Sequence, residues 1–138
     1  MPKNNPIIAA KALIFSKRKY LLMLRSSEEK ILPSTWDIPG GGVEKGETVS
    51  ETLIREVKEE TGIDISLAKI IPIKKWLLKR GKNKFSGIDF LCIIKKPREI
   101  KLSLEHVRSK WFTEKEIMDS KKVPGWLKKT VNSATQKE

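Results

Sequence analysis

An α/β fold with a mixed β-sheet held between helices is what this chain of 138 residues predicts, and two observations carry the prediction. Apolar runs of strand length lie on both sides of one acid-rich amphipathic segment, and further helical patterns follow near the C-terminal end. A sheet built around one helix and followed by another needs cover on both faces, which is the layering of an α/β/α sandwich.

Taken in order, Pro6–Phe15 and Tyr20–Leu24 are apolar runs broken by Ser16-Lys17-Arg18-Lys19, the pattern of a hairpin. Ser26–Pro39 reads as a loop, and Gly40-Gly41-Gly42 continues it. Val49, Leu53 and Val57 then recur every four residues and put one apolar stripe against a core. Thr48 with Glu51 three residues on makes a capping box for this helix, and Gly62 stands where it stops. Ile65–Leu78 and Phe85–Ile94 form a second strand pair around Arg80-Gly81-Lys82-Asn83. Arg108–Phe112 is a short strand, and Thr113 with Glu116 caps the helix after it. Pro124 opens the last helix, Trp126–Ser133. With no internal repeat or linker, residues 1–138 read as a single domain.

The acidic helix carries the chemistry. Glu56, Glu59 and Glu60 stand at i, i+3 and i+4, so three carboxylates share one face within a turn. Like charges this close weaken a helix unless something neutralises them. A hard cation such as Mg²⁺ takes carboxylate oxygens and joins them to substrate phosphates. Arg55 has Glu51 and Glu59 within helical reach, and Glu47 too if the preceding loop folds over the helix.

From Gly41 to Ile63 the spacing is Gly, five residues, Glu47, seven residues, Arg55-Glu56, Val57, one residue, Glu59-Glu60, one residue, Gly62, Ile63. At every fixed position this resembles the box of the Nudix hydrolase family. The flanks resemble it too: Trp36-Asp37-Ile38-Pro39-Gly40-Gly41 before the box, and Ser103-Leu104-Glu105-His106 with Trp111-Phe112 after it. The resemblance implies the Nudix α/β/α sandwich and an enzyme that hydrolyses a pyrophosphate bond in a nucleoside diphosphate derivative. It implies Mg²⁺, with Mn²⁺ as the alternative, on Glu56, Glu59, Glu60 and the carbonyl of Gly40. Glu47, Arg55 and Gly41 would shape the loop and helix around that set. The group that takes the proton from water is either a box glutamate, Glu59 or Glu60, or Glu105 on the later loop. His106, the one histidine, has the intrinsic pKa for the task but reads more simply as a packing residue.

For the nucleobase, Trp76, Phe85, Phe90 and Asn132 are the candidates, through stacking and hydrogen bonding. At Leu78, where the family's ADP-ribose hydrolases carry a proline, there is none. The tyrosine of its dinucleoside polyphosphate group is missing as well. Elimination leaves the MutT-like branch, which converts nucleoside triphosphates, oxidised ones included, to monophosphate and pyrophosphate. The alternatives are dinucleoside polyphosphates, nucleotide sugars, RNA 5′ ends, or a module that binds without turnover.

Composition agrees with a polyanionic small-molecule substrate. The formal charge is +12, yet Asp37 to Asp64 holds eight acidic residues against three basic ones. An acidic site in a basic surface draws in phosphates and holds their cation locally. RNA is the less favoured partner, because the lysines are scattered in pairs. The apolar runs fall well short of the ~20 residues of a membrane span, which excludes a membrane partner through a helix. Cys92 is the lone cysteine, so no internal disulfide forms, and a reducing, cytoplasmic setting is expected. Dimers are common in the family, and a homodimer is left open.

Overall fold

A computed structural model describes residues 7–30, 33–96, 100 and 106–137. Its elements are β1 (Ile7–Ser16), β2 (Lys19–Arg25), β3 (Trp36–Asp37), β4 (Gly40–Gly42), α1 (Val49–Thr61), β5 (Lys69–Arg80), β6 (Asn83–Ile93), β7 (His106–Phe112), α2 (Glu114–Asp119) and α3 (Gly125–Thr135). The seven strands make one sheet in the order β3-β2-β1-β6-β5, with β4 added on β1 and β7 on β2. Only the β1–β6 pair is parallel among these pairings, so the sheet is mixed, as expected.

The first hairpin turns on Lys17 and Arg18, both with positive φ (51° and 64°). That is the mirror-image turn whose twist suits a tight hairpin, built here without the usual Asn-Gly. One edge of β1 is shared, by β2 at Ile14–Ser16 and by β4 at Ala9–Lys11, while β6 runs along the other edge from Ile7 to Phe15. Within the described residues β5 borders the sheet, and Pro72 sits at a register shift there, where a missing backbone N–H is tolerated.

Alternation on β1 divides the core. Ala10, Ala12 and Ile14 face α1 and pack with Leu53, Val57, Ile63, Ile65 and Cys92. Leu13 faces the other side, with Tyr20, Leu22, Trp36, Leu91, Phe112, Ile117, Leu127 and Val131. Helices therefore cover both faces, the sandwich the sequence predicts.

Besides shifts of one or two residues at several element ends, three stretches differ from expectation. The 26–39 loop contains the two-residue strand β3, which pairs with Met23 and Leu24 and is tied to the α2–α3 connection by Trp36 N–H donating to the Lys122 carbonyl at 3.0 Å. The glycine run is strand β4, made so by backbone pairing to β1, because glycine has no intrinsic preference for a strand. Residues 65–68 turn before β5 begins at Lys69, with Ser66 N–H donating to the Asp64 carboxylate at 2.9 Å. No helix among the described residues is long and apolar enough to cross a membrane.

Candidate active site

The box is assembled by caps first. Thr48 accepts from Glu51 N–H at 3.1 Å, and the Glu51 carboxylate accepts from Thr48 N–H at 2.9 Å. This reciprocal pair satisfies two of the helix's orphan donors. Gly62 ends the helix in the left-handed region, φ 80°, its N–H donating to the Lys58 carbonyl. With Glu51 used by the cap, Arg55 turns to the loop instead. Its Nε and Nη2 grip the two Glu47 carboxylate oxygens at 2.6 and 3.0 Å, a bidentate fork. Its Nη1 reaches Glu56 at 2.8 Å and Glu59 at 3.4 Å, and Nη2 also reaches the Gly42 carbonyl at 3.4 Å. One guanidinium therefore ties the 42–47 turn, through Glu47 and the Gly42 carbonyl, to Glu56 and Glu59 on the helix.

Glu47 accepts two further hydrogen bonds, from Glu44 N–H at 3.1 Å and Thr52 Oγ1 at 2.8 Å. The Arg55 hydrogen bonds above all, then those donors, hold its carboxyl down at about 2. Glu47 in turn pushes the Arg55 guanidinium further above its ordinary value.

Glu60 is buried and accepts from Gly40 N–H at 2.7 Å. Glu56 comes so close to Gly41 that a Cβ there would lie 2.6 Å from its carboxyl carbon. Two carboxylates thus converge on the Gly40–Gly41 backbone, a cradle that a side chain would fill. Glu59 stands apart, its side chain 58% exposed. Among the described residues no three potential ligands are gathered into a closed cluster. The donors are all oxygen, however, and two carboxylates leaving other positions to water and phosphate is the set a hard divalent cation takes. The residues fit such an ion. Glu105 lies outside the described residues, and His106 is buried at the start of β7, opposite Arg25.

Across the sheet lies a cleft of about 500 Å³, walled by Trp36, Trp76 and Trp126 and holding Lys11, Asp37, Asp89 and Thr130. Lys11 pairs by its backbone with Gly40, so the cleft and the Glu60–Gly40 contact sit on neighbouring strands. Lys11 Nζ bonds Asp37 at 2.9 Å and lies 4.8 Å over the Trp126 ring. Burial raises the Asp37 carboxyl, but Lys11, Ile38 N–H and Arg25 outweigh it and leave it below the ordinary value. Asp89 is pushed up by burial, against the hydrogen bonds it accepts from Thr130 and Trp76.

Of the expected base-binding residues, Trp76 lines the cleft; Phe85 and Phe90 do not, and Asn132 is exposed on α3, two positions round the helix from Thr130. Lys11, Asp37, Asp89, Trp126 and Thr130 were not anticipated there. Asp89 did carry a signal, an acid inside an apolar strand run, since a buried carboxylate needs a reason.

The NUDIX domain family model matches residues 5–133. Nucleoside triphosphatase NudI of Escherichia coli (strain K12) is 42% identical over 60 residues, which are 44% of this chain and 43% of NudI. The match thus spans less than half the length of these curated relatives. Among solved structures, the MutT protein from Methanosarcina mazei Go1 aligns at a TM-score of 0.81 with 26% identity, over 100% of this chain and 99% of that one. The Ap4A hydrolase of C. elegans shares the fold at 0.78, with 23% identity over 94% and 96%. Because the family match takes in all seven strands as well as the acidic helix, the resemblance read from the box holds for the fold as a whole, and the chain belongs to the NUDIX domain family.

Proposed function

We propose that this chain is an Mg²⁺-dependent pyrophosphohydrolase that converts a nucleoside triphosphate to its monophosphate and pyrophosphate. The observation that carries the proposal is the convergence of Glu56 and Glu60 on the Gly40–Gly41 backbone, fixed from behind by the Arg55–Glu47 fork. The name of NudI supports triphosphates as the substrate class.

In this reading Glu56, Glu60 and the Gly40 carbonyl hold the ion, with Glu59 joining them from the exposed side. When bound, the ion offsets the charge that makes a polyphosphate repel its nucleophile and acidifies the attacking water. The chain supplies position. Arg55 holds Glu56 toward the loop while Glu47 fixes Arg55, and such outer partners set ligand geometry. Gly40 N–H orients the Glu60 carboxylate. Glu59, accessible and, among the described residues, held by one long Arg55 contact, is the box group suited to take the proton from water; Glu105 is the alternative base. Mn²⁺ substitutes for Mg²⁺ in the same oxygen set.

The test is phosphate and pyrophosphate release from nucleoside triphosphates, oxidised triphosphates, ADP-ribose, dinucleoside polyphosphates and 5′-triphosphate RNA, with Mg²⁺ or chelator, beside Glu60→Gln. A glutamine oxygen still accepts from Gly40 N–H, so the variant keeps its fold. Turnover is expected to drop at least about 100-fold, since even outer partners of a metal site cost ~10–100-fold. Undiminished turnover in Glu60→Gln, or no release from any triphosphate, sinks the proposal.

A further inference from the structure

Asp89 is buried in the middle of β6, and the catalytic scheme above leaves it without a task. Both of its oxygens are engaged: Trp76 Nε1 donates to Oδ1 at 3.1 Å, and Thr130 Oγ1 donates to Oδ2 at 2.8 Å. Trp76 belongs to β5 and Thr130 to α3, so one carboxylate ties the border of the sheet to the helix across the cleft. The Trp76 ring is held at its edge by this bond. It lies directly on β6 at Gly87, where a Cβ would run into the ring. A missing side chain below and a hydrogen bond at its edge therefore hold the indole in place against the sheet.

Three further polar groups of the cleft, Asp37, Lys11 and Arg25, are engaged with each other, while Lys74 and Thr35 also line it. Asp37 accepts from Lys11 at 2.9 Å, from Arg25 at 3.1 Å and from Ile38 N–H at 2.8 Å. Lys11 also stands over Trp126. Asp89 itself is 1% exposed, so a ligand in the cleft meets the indole that Asp89 holds and not the carboxylate. A ring entering here finds the Trp76 and Trp126 faces beside an Asp37–Lys11–Arg25 network whose members already bond one another, which favours stacking over the reading of a base's hydrogen-bonding edge.

We propose that Asp89 is a positioning residue that locks Trp76 as a stacking platform, so that the cleft takes the planar ring of a nucleotide with little discrimination among bases. This rests on the cleft being where the nucleotide's ring binds. Every base presents a π-face, so a stacking platform is tolerant of sequence, and its removal costs affinity for all bases alike.

The experiment compares kcat and KM for ATP, GTP, CTP and UTP in the unaltered protein, Trp76→Leu, Asp89→Val and Asp89→Asn. Dissociation constants of the four nucleoside monophosphates are measured on the same samples. The unaltered protein is expected to treat the four bases within about tenfold of one another. Trp76→Leu raises KM about 5- to 100-fold with kcat little changed, the loss of one stacked base. Asp89→Val raises KM for all four in parallel. Asp89→Asn restores KM, because its amide oxygen still accepts from the indole and its amide nitrogen can donate to the Thr130 hydroxyl.

A base preference that changes in Asp89→Asn overturns the proposal in favour of edge reading by the carboxylate. An unchanged KM in Asp89→Val, with only the melting temperature lowered, also overturns it, leaving Asp89 a structural link. If Asp89→Val does not fold, Asp89→Asn and Trp76→Leu still decide. If no triphosphate is hydrolysed, the hydrolase reading fails while the monophosphate dissociation constants, compared in the same way, judge this one. Absence of any nucleotide binding overturns both.

Discussion

Gly40 and Gly41 are neighbours in one short strand, yet they are glycine for different reasons. A Cβ on Gly40 would strike the β1 backbone, at the Ala10 carbonyl and Lys11 Cα. Backbone in the sheet cannot yield cheaply, so Gly40→Ala is expected to destabilise the fold by about 1–3 kcal/mol, the usual cost of overpacking, read from a urea midpoint. The nearest atoms a Cβ on Gly41 would meet are those of the Glu56 carboxyl, the far end of a flexible side chain. Gly41→Ala should therefore leave the midpoint nearly unchanged while turnover falls and the Mg²⁺ requirement rises; equal losses of stability in the two variants would refute the distinction. Glu47 adds a dependence on acid. Its folded pKa of about 2 lies below the ordinary carboxylate value, so the stabilisation it gives is fully present above that ordinary value and is lost as pH falls toward 2. Glu47→Gln is expected to lower the melting temperature at neutral pH and to flatten its decline on the acid side. A parallel decline in both proteins would show that the Arg55 fork does not couple to folding. Glu47 and Arg55 could be read in the sequence because their spacing is fixed along one helix and its turn. Asp89 could not be given a role there, since its partners Trp76 and Thr130 come from elements that only the folded sheet brings together.

Helix α1 shows how much an element's own residues decide. The capping box, the Leu53–Val57 stripe and the Gly62 stop are all local, and all three are where the spacing places them. Thr48→Ala removes the acceptor for Glu51 N–H and should cost ~1 kcal/mol of stability. A denaturation midpoint unmoved by Thr48→Ala would mean that packing alone holds the first turn. The same logic predicted the Thr113–Glu116 cap of α2, which is present with N–H donors at 2.9 and 3.2 Å. Strands β3 and β4 are the opposite case. Two and three residues have too few side chains to show an alternation, and Trp36-Asp37 and Gly40-Gly41-Gly42 become strands only by pairing with β2 and β1. Because the triple glycine reads as flexible loop, the strand that presents Gly40 N–H to Glu60 was hidden in the element most open to misreading.

The fold class was legible at the scale of the whole chain because it depends on layers, and layers follow from which runs are apolar and in what order. Strand order was not. Nothing local in Ile7–Phe15 or Phe85–Ile93 marks them as parallel neighbours, and the cleft exists only because that pairing brings Lys11 beside Asp89. The candidate site built from one contiguous stretch was therefore readable, and the cleft drawn from β1, β2, β3, β5, β6 and α3 was not. The parallel seam also matters while the protein is being made. The strand at the centre of the sheet precedes its long partner in the chain, and that partner emerges only after α1 and β5. Until then the β1–β2 hairpin has one apolar edge open, and closure waits on a contact between distant parts of the chain, the slow kind of step in folding. Between the synthesis of β2 and that of β6 the middle strand is therefore unguarded, and an unpaired strand edge favours misassembly.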